Sequence, residues 1–221
     1  MSESAFEKNV SKRIYNDYIK RVLDFAIAMP VVVVGAIPMA LAAAAIKIES
    51  PGPVIFRQKR IGKDGKEFEI LKFRSMQDNS EHTGSGVYSG KDDDRVTKVG
   101  RVIRATSIDE LPQVINILRG DMSFIGPRPP LTYHPWPIEE YTDEQRRMFE
   151  VRPGITGWAQ VHGRKQVEWN ERIRLNIWYV DHVSFPLDLK IFFKTIMAVV
   201  TSKDNENVGA TLKEDEVGAV K

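Results

Sequence analysis

The chain has 221 residues, of which 32 are basic and 30 acidic, and its formal net charge is +2. This length supports one sizeable domain or a domain with an accessory segment, and the balanced charge gives no basic field that would favour nucleic acid. Cysteine is absent, which excludes disulfides, thiolate zinc sites and cysteine nucleophiles. The four histidines lie far apart, which argues against a histidine metal centre.

The first feature along the chain is an uncharged apolar run from Phe25 to Ile46, about the length of a helix that crosses a bilayer core. Lysines and arginines flank it on both sides, so both ends are expected to face the cytoplasm. Pro30 and Pro38 each remove a backbone donor inside the run, and Gly35 lies between them. The pattern favours a re-entrant helix that enters one leaflet, breaks at a proline and returns.

Two alternatives remain for this segment. One is a simple transmembrane span. The other is a secretory signal, with small residues at 40–45 as the cleavage site. The acidic residues before the run and the missing polar break after it count against a signal.

A turn cluster at 50–53 ends the apolar run, and a β-hairpin is predicted at about 54–74. Two β-rich runs flank Asp64-Gly65, and this dipeptide is a strong hairpin signal. The glycine-containing polar stretch 77–94 is predicted to be a mobile surface loop.

The stretch TSIDELPQ, residues 106–113, places Asp109 and Glu110 side by side at the start of a predicted helix over 109–119. Ser107 and Glu110 have the spacing of a capping box, which requires no function. The alternative is a reaction centre that uses both acids. These residues alone leave the two readings open.

The second half of the chain alternates proline-fixed turns with helices. Turns are predicted at 121–130 and 152–158, and helices at 137–150 and 166–180. The run 187–200 carries apolar residues around two lysines, which fits either a core helix or a helix in the membrane interface. Arginine and lysine are dense where the backbone is fixed, and guanidinium groups clamp phosphate. The basic candidates for an anionic substrate include Lys72, Arg74, Arg104, Arg128, Arg152 and Arg164.

Three strings carry a resemblance to a known family: IKIESPGPVIFRQKRIGKDGKEFEILKFRSM, VGRVIRATSIDELPQVINILRGDMSFIGPRPP and VRPGITGWAQVHGR. In this order and spacing, the chain resembles the bacterial sugar transferase family of small monotopic phosphoglycosyl transferases over roughly residues 12–200. Such enzymes start glycoconjugate assembly. The resemblance favours the reaction-centre reading of the acid pair.

The resemblance implies transfer of sugar 1-phosphate from a UDP-sugar to a polyprenyl phosphate such as undecaprenyl phosphate, with release of UMP. It implies that Asp109 is the nucleophile of a ping-pong reaction and that Glu110, beside it, supports an essential Mg²⁺. Arg128 is expected to contact phosphate. Gln160, with Arg152 and Arg164, is expected to bind substrate or to shape the site.

The expected fold is α+β, mostly helical with a small β-hairpin, in a monotopic membrane protein with interfacial amphipathic helices. Residues 1–50 would hold the basic segment and the re-entrant helix, 51–202 the catalytic domain and 203–221 a polar tail. The expected location is the cytoplasmic face of the bacterial inner membrane. Relatives often bend the helix at Ser-Pro, whereas this chain has Ile37-Pro38, and His162 replaces a frequent asparagine.

Two other functions stay open. One is a non-catalytic membrane scaffold of the same fold, and the other is a membrane-anchored hydrolase that cleaves the nucleotide sugar with water. The expected partners are a UDP-sugar, undecaprenyl phosphate and the lipid bilayer, without nucleic acid. A homodimer and downstream glycosyltransferases are the protein partners to consider, and the identity of the sugar is open.

Overall fold

The computed structural model of the chain describes residues 12–77, 80, 93–162 and 168–200. Most of the predicted loop 77–94, Arg164 and the predicted tail 203–221 lie outside the described residues. Within the described part, helices predominate and two small two-stranded sheets accompany them, which is compatible with the predicted α+β class.

The N-terminal region forms one long helix. A π-helical turn, Tyr15–Ile19, leads into helix α1, Lys20–Glu49. By length and apolar composition this helix could cross a membrane, and only 17% of its apolar window is buried inside the protein. The core helix of a soluble domain would bury most of such a stretch. The helix therefore indicates membrane association.

Helix α1 continues through Pro30 and Pro38, where the sequence predicts a break. A proline removes one hydrogen bond and bends a helix, but the residues on both sides can keep helical backbone angles. Continuity of the helix is compatible with a bend, and the re-entrant path stays a prediction.

One side of α1 packs on the rest of the protein along its length. Ala28 and Ile46, near its two ends, are 0% and 2% exposed. On the outward side, Val33, Val34 and Ile37 are 71%, 77% and 72% exposed. The helix therefore has one face towards the domain and one apolar face without protein cover among the described residues.

The hairpin is confirmed. Strands β1, Ile55–Ile61, and β2, Glu67–Phe73, pair antiparallel, with Ile55 opposite Phe73. The turn between them contains Asp64 at φ 56° and Gly65 at φ 74°. Glycine and aspartate tolerate this left-handed region better than most residues, which explains why the Asp-Gly signal was reliable here.

The helix predicted over 109–119 is divided. Helix α2, Lys98–Ala105, precedes a 3₁₀ turn, Ile108–Glu110, and helix α3, Gln113–Arg119, follows it. Gly120 ends α3 at φ 97°, as its position predicted. The predicted capping box is wrong, because Ser107 takes a left-handed conformation and its side chain makes no capping hydrogen bond.

Two motifs from distant parts of the chain form one backbone unit. Strands β3, Ser123–Ile125, and β4, Gly154–Thr156, pair in parallel. A Cβ atom on Gly126 would lie 2.3 Å from the carbonyl oxygen of Arg152, and one on Gly154 would lie 2.1 Å from the backbone nitrogen of Gly126. Both positions therefore require glycine because the backbones touch. No local pattern in the sequence indicates this pairing, because the two strands lie about 30 residues apart.

The predicted helix over 137–150 is wrong as a single element. The region contains a 3₁₀ turn at Ile138–Glu140, helix α4 at Asp143–Arg146 and a 3₁₀ turn at Arg147–Phe149. Thr142 and Gln145 form a capping box in the middle of this region, so the chain starts a new helix there.

Three helices complete the described chain: α5, Trp158–His162; α6, Trp169–His182; and α7, Phe185–Val200. Helix α6 agrees with the prediction over 166–180 and α7 with that over 187–200. Ile191 of α7 is fully buried in a core cluster with Tyr179 and Val180 of α6. The opposite side of α7 exposes large apolar side chains: Phe185, Leu189, Phe192, Phe193, Ile196 and Met197.

Candidate active site

The acid pair lies on the 3₁₀ turn between α2 and α3. Ser107, at φ 57°, reverses the chain after α2, and Asp109 and Glu110 follow as half-buried residues. Ile108, next to the pair, packs against a core cluster that includes Ile46, from the end of α1. The turn is therefore fixed by tertiary packing and not by a local cap.

Glu110 forms an ion pair with the hairpin. The Nζ atom of Lys72, on β2, lies 2.6 Å from Oε1 of Glu110. Burial alone would raise the pKa of Glu110, but the charges of Lys72 and Arg128 and hydrogen bonds from Lys72 and Gln113 outweigh it and lower the pKa to about 2. Glu110 is therefore a carboxylate over the whole physiological pH range.

Asp109 has the opposite character. Burial raises the pKa of this carboxyl and the charge of Glu110 raises it further, while Lys72, Arg104 and Arg128 together oppose the rise only in part. An aspartate with a raised pKa is a stronger base than an ordinary aspartate. Its ionised oxygen is therefore a stronger nucleophile. Two adjacent acids with divergent pKa values are typical of groups with separate roles in one reaction.

Two predicted arginines lie in the electrostatic surroundings of the pair. Arg104, in the last turn of α2, donates from Nε to Oγ of Ser75 at 2.8 Å, and its charge acts on Asp109. Arg128 is exposed on the loop after β3, and its charge acts on both acids. Arg128 also lines a small cleft with Arg60 and Gln113. These side chains place positive charge beside the acids, as an anionic substrate requires.

Arg74 contacts the end of α1, and its predicted role in substrate binding stays a prediction. Its side chain is buried and donates to the turn after α1, at 2.8 Å to the carbonyl oxygen of Ser50 and 2.7 Å to that of Pro51. The structure thus assigns Arg74 to the end of the membrane helix. The sequence could not separate these functions, because a guanidinium group binds carbonyl oxygens and phosphate with the same donors.

The remaining predicted binding residues lie in or after the β4 region. Arg152 donates from Nε to the carbonyl oxygen of Gly120 at 3.2 Å, at the C-terminal end of α3, whereas the acid pair precedes the N-terminal end. Gln160 buries both polar atoms of its amide without a hydrogen-bond partner among the described residues. A buried amide without partners is unusual in a folded protein, and the predicted binding role of Gln160 stays a prediction. Arg164 lies outside the described residues.

The acid pair fits a magnesium ion that shares its ligands with a substrate. Within the described residues there is no group of three or more histidine, cysteine or acidic side chains that could enclose a metal. Mg²⁺ usually binds through one or two carboxylates, several waters and substrate phosphates, so the adjacent carboxylates of Asp109 and Glu110 suffice as its protein ligands.

Two residues of the site were missed by sequence reasoning. Gln113 is 2% exposed, and its side chain hydrogen-bonds to Glu110. Asn116 is fully buried; its Oδ1 accepts from the backbone N–H of Leu71 at 3.0 Å and its Nδ2 donates to the carbonyl oxygen of Glu69 at 2.7 Å. Asn116 thereby fixes the strand that carries Lys72 to the helix that follows the acids. The signal in the sequence was the position of Gln113 and Asn116, two polar residues three apart beside Val114, Ile115, Ile117 and Leu118.

Comparison with known proteins identifies relatives over most of the chain. A protein described as an uncharacterized sugar transferase of Bacillus subtilis is 39% identical over 201 residues, which cover 91% of this chain and 96% of that protein. A UDP-glucose:undecaprenyl-phosphate glucose-1-phosphate transferase of Caulobacter vibrioides is 44% identical over 86% of this chain and 73% of its own length. A UDP-N-acetylgalactosamine-undecaprenyl-phosphate N-acetylgalactosaminephosphotransferase of Aeromonas hydrophila is 43% identical over 83% of this chain but only 44% of its own length.

The family model described as bacterial sugar transferase matches residues 15–202, a region that includes α1, the hairpin, the acid pair and the interlocked glycine motifs. The chain belongs to the bacterial sugar transferase family.

Proposed function

We propose that the protein transfers sugar 1-phosphate from a UDP-sugar to undecaprenyl phosphate, with Asp109 as the nucleophile. The observation that carries this proposal is the divergence of the two acids: Lys72 holds Glu110 ionised, while burial raises the pKa of Asp109 beside the charges of Arg104 and Arg128. The relatives whose names state a reaction act on UDP-sugars and undecaprenyl phosphate, which supports the same substrate classes here.

The reaction would take place in two displacements. A carboxylate oxygen of Asp109 attacks the phosphorus that bears the sugar, the bond from this phosphorus to the oxygen of UMP breaks, and UMP leaves. The product is an acyl phosphate between Asp109 and the sugar phosphate. A phosphate oxygen of undecaprenyl phosphate then attacks the same phosphorus, which forms the diphosphate and regenerates the carboxylate. Such a covalent route divides one difficult displacement into two easier ones.

The basic residues would hold the diphosphate of the donor. Arg128 is exposed near both acids and can donate two parallel hydrogen bonds to one phosphate. Lys72 is already paired with Glu110, so its role is to keep that carboxylate ionised and in place. A magnesium ion bound by Asp109 and Glu110 would neutralise charge on the donor phosphates and on the departing UMP.

We also propose that the protein is monotopic on the cytoplasmic face of the bacterial inner membrane. If straight, the 30 residues of α1 would be about 45 Å long, more than the hydrocarbon core of a bilayer. Both ends of α1 nevertheless contact the same domain. Ser123 donates to Asp24 near the first end at 3.0 Å, and Arg74 donates to Ser50 after the last turn. A domain on one side of the bilayer can hold both ends only if the helix does not cross, which supports a monotopic arrangement.

Helix α7 would provide a second contact with the membrane. Its exposed side carries three phenylalanines, and Nζ of both Lys190 and Lys194 lies 5.6 Å from the ring centre of Trp158. Trp158 stacks on Trp178 at 4.4 Å between ring centres. Aromatic side chains and lysines beside an apolar helix face are typical of the level of the lipid headgroups, where undecaprenyl phosphate presents its phosphate.

The proposal is tested by UMP release from nanodisc-embedded protein supplied with Mg²⁺, undecaprenyl phosphate and one UDP-sugar at a time. We expect UMP release that requires the lipid acceptor for turnover and one or a few of the sugars. Release at full rate without the acceptor would instead identify a hydrolase. Binding of donors without any release from folded protein would identify a scaffold.

A further inference from the structure

The C-terminal end of α1 is joined to the helix that leads to the acid pair. Glu49, the last residue of α1, reaches helix α2 across 49 residues of sequence. Its Oε1 accepts from the backbone N–H of Lys98 at 2.8 Å, and its Oε2 accepts from that of Val99 at 3.1 Å. These N–H groups belong to the first turn of α2 and have no partner inside the helix.

The N-terminus of α2 already has an ordinary cap. Thr97, the N-cap residue, accepts from the N–H of Gly100 at 2.9 Å, and its side chain is hydrogen-bonded to the Glu49 carboxylate. A local cap and a carboxylate from the membrane helix together satisfy three N–H groups of one helix. Because the dipole of α2 also favours a negative charge there, α1 and α2 are joined by a charged contact as well as by packing.

The same junction continues towards the acid pair. Ile46 of α1, Phe73 of β2 and Ile103 of α2 share one buried cluster, against which Ile108 packs. A Cβ atom on Gly100 would lie 1.9 Å from the carbonyl oxygen of Ser75, so α2 lies directly on the chain beyond β2. Little space is left for α2 to move without moving the residues around the acid pair.

The far end of α2 carries Arg104, whose charge acts on Asp109. Thr106 and Ser107 connect the end of α2 to the 3₁₀ turn that contains Asp109. A helix of eight residues is about 12 Å long, so a tilt of about 5° at its first turn displaces its last turn by about 1 Å.

We propose that Glu49 is a positioning residue for the phosphoryl-transfer reaction: it fixes the first turn of α2 to the end of the membrane helix and so sets Arg104, and through Arg104 the positive charge beside Asp109, in place. The proposal rests on the proposed transferase function. In this proposal, the end of α1 positions residues of the active site in addition to anchoring the protein in the membrane.

The test compares Glu49→Ala, Glu49→Gln and the control Glu67→Ala in nanodiscs. Glu67 is also an exposed glutamate, but its partner is Lys59 on the hairpin, with an Nζ–Oε2 distance of 3.1 Å and both side chains more than half exposed. The measurements are kcat and KM for UMP release with a donor that the wild type uses, and the melting temperature of each variant.

We expect Glu49→Ala to lower kcat at least about tenfold with KM within about twofold, because misplacement of reacting groups affects the transition state more than donor binding. Glu49→Gln keeps acceptor oxygen but loses the charge, and its kcat should lie between those of the alanine variant and the wild type. Glu67→Ala should match the wild type. Unchanged kcat in folded Glu49→Ala would overturn the proposal, as would a loss that follows the unfolded fraction.

A double variant identifies the route of the effect. If Glu49 acts through Arg104, adding Glu49→Ala to Arg104→Lys should lower kcat much less than it does in the wild type. Independent, multiplicative losses would contradict the route through Arg104 and overturn the proposal. A wild-type protein that releases no UMP from any donor would instead refute the proposed function, so the two failures are distinguishable.

Discussion

Replacing Lys72 by methionine tests whether this lysine holds Glu110 ionised. The Nζ–Oε1 distance is 2.6 Å, and the two side chains are only 18% and 26% exposed. The pKa of Glu110 falls from 4.5 to about 2, which corresponds to about 3 kcal/mol of stability. Lys72 shares this effect with Arg128 and Gln113, and solvent screens part of it. We therefore expect Lys72→Met to lower the free energy of unfolding by about 1–3 kcal/mol at pH 7.

The sign of the pH dependence is fixed by the lowered pKa. A carboxyl group whose folded pKa lies below its unfolded pKa stabilises the fold above the unfolded value, and this stabilisation is lost as the pH falls towards the folded value. The difference between the wild type and Lys72→Met should therefore be largest above about pH 5 and fall by roughly half near pH 3. Denaturant unfolding in detergent at several pH values measures it.

Lys59→Met is the matched control. Lys59 pairs with Glu67 on the same hairpin at 3.1 Å, but these side chains are 68% and 53% exposed. Exposed pairs contribute little, so its effect should stay below about 1 kcal/mol. An equal loss in both variants, or a loss from Lys72→Met that does not vary with pH, would refute the assignment.

Three further predictions concern the acids and the glycine unit. Asp109→Asn should abolish UMP release and raise the melting temperature. The raised pKa of Asp109 means that its ionised form destabilises the fold at neutral pH. A stable but active variant, or an inactive variant with a lower melting temperature, would contradict this. In the protein without Mg²⁺, the carboxyl of Asp109 should titrate above 3.8, the ordinary pKa of an aspartate, because burial raises its pKa; a difference titration of the wild type and Asp109→Asn that shows no such group would count against it. Gly154→Ala should prevent folding or lower the melting temperature strongly, since its new Cβ would lie 2.1 Å from the Gly126 nitrogen, whereas Gly35→Ala, with its nearest contact at 3.6 Å, should melt like the wild type.

The parts of the fold that depend on local signals were predictable. Asp64-Gly65 fixed the hairpin because the turn needs left-handed residues, and Gly120 ended α3 for the same reason. Ser107 shows the limit of such signals. Its spacing to Glu110 is that of a capping box, but Ser107 takes a left-handed conformation and Glu110 pairs with Lys72 instead.

The residue types of the site were predictable, but their partners were not. Lys72 lies on β2 and Arg74 directly follows it. Both are basic residues in the same stretch, so the sequence predicts the same role for both. In the structure, Lys72 pairs with Glu110, whereas Arg74 donates hydrogen bonds to the carbonyl oxygens after α1. The contact of Glu49 with α2 spans 49 residues, and no pattern of periodicity or spacing reports a contact of that kind.

The central claim is that Asp109 carries the sugar phosphate between the two substrates. The most direct measurement is intact-protein and peptide mass spectrometry after incubation with Mg²⁺ and the preferred UDP-sugar, without undecaprenyl phosphate. We expect a sugar-phosphate adduct on the peptide that contains Asp109, one UMP released per adduct, and loss of the adduct when lipid acceptor is added. Lipid-dependent transfer without any adduct, or transfer retained by Asp109→Asn, would contradict it.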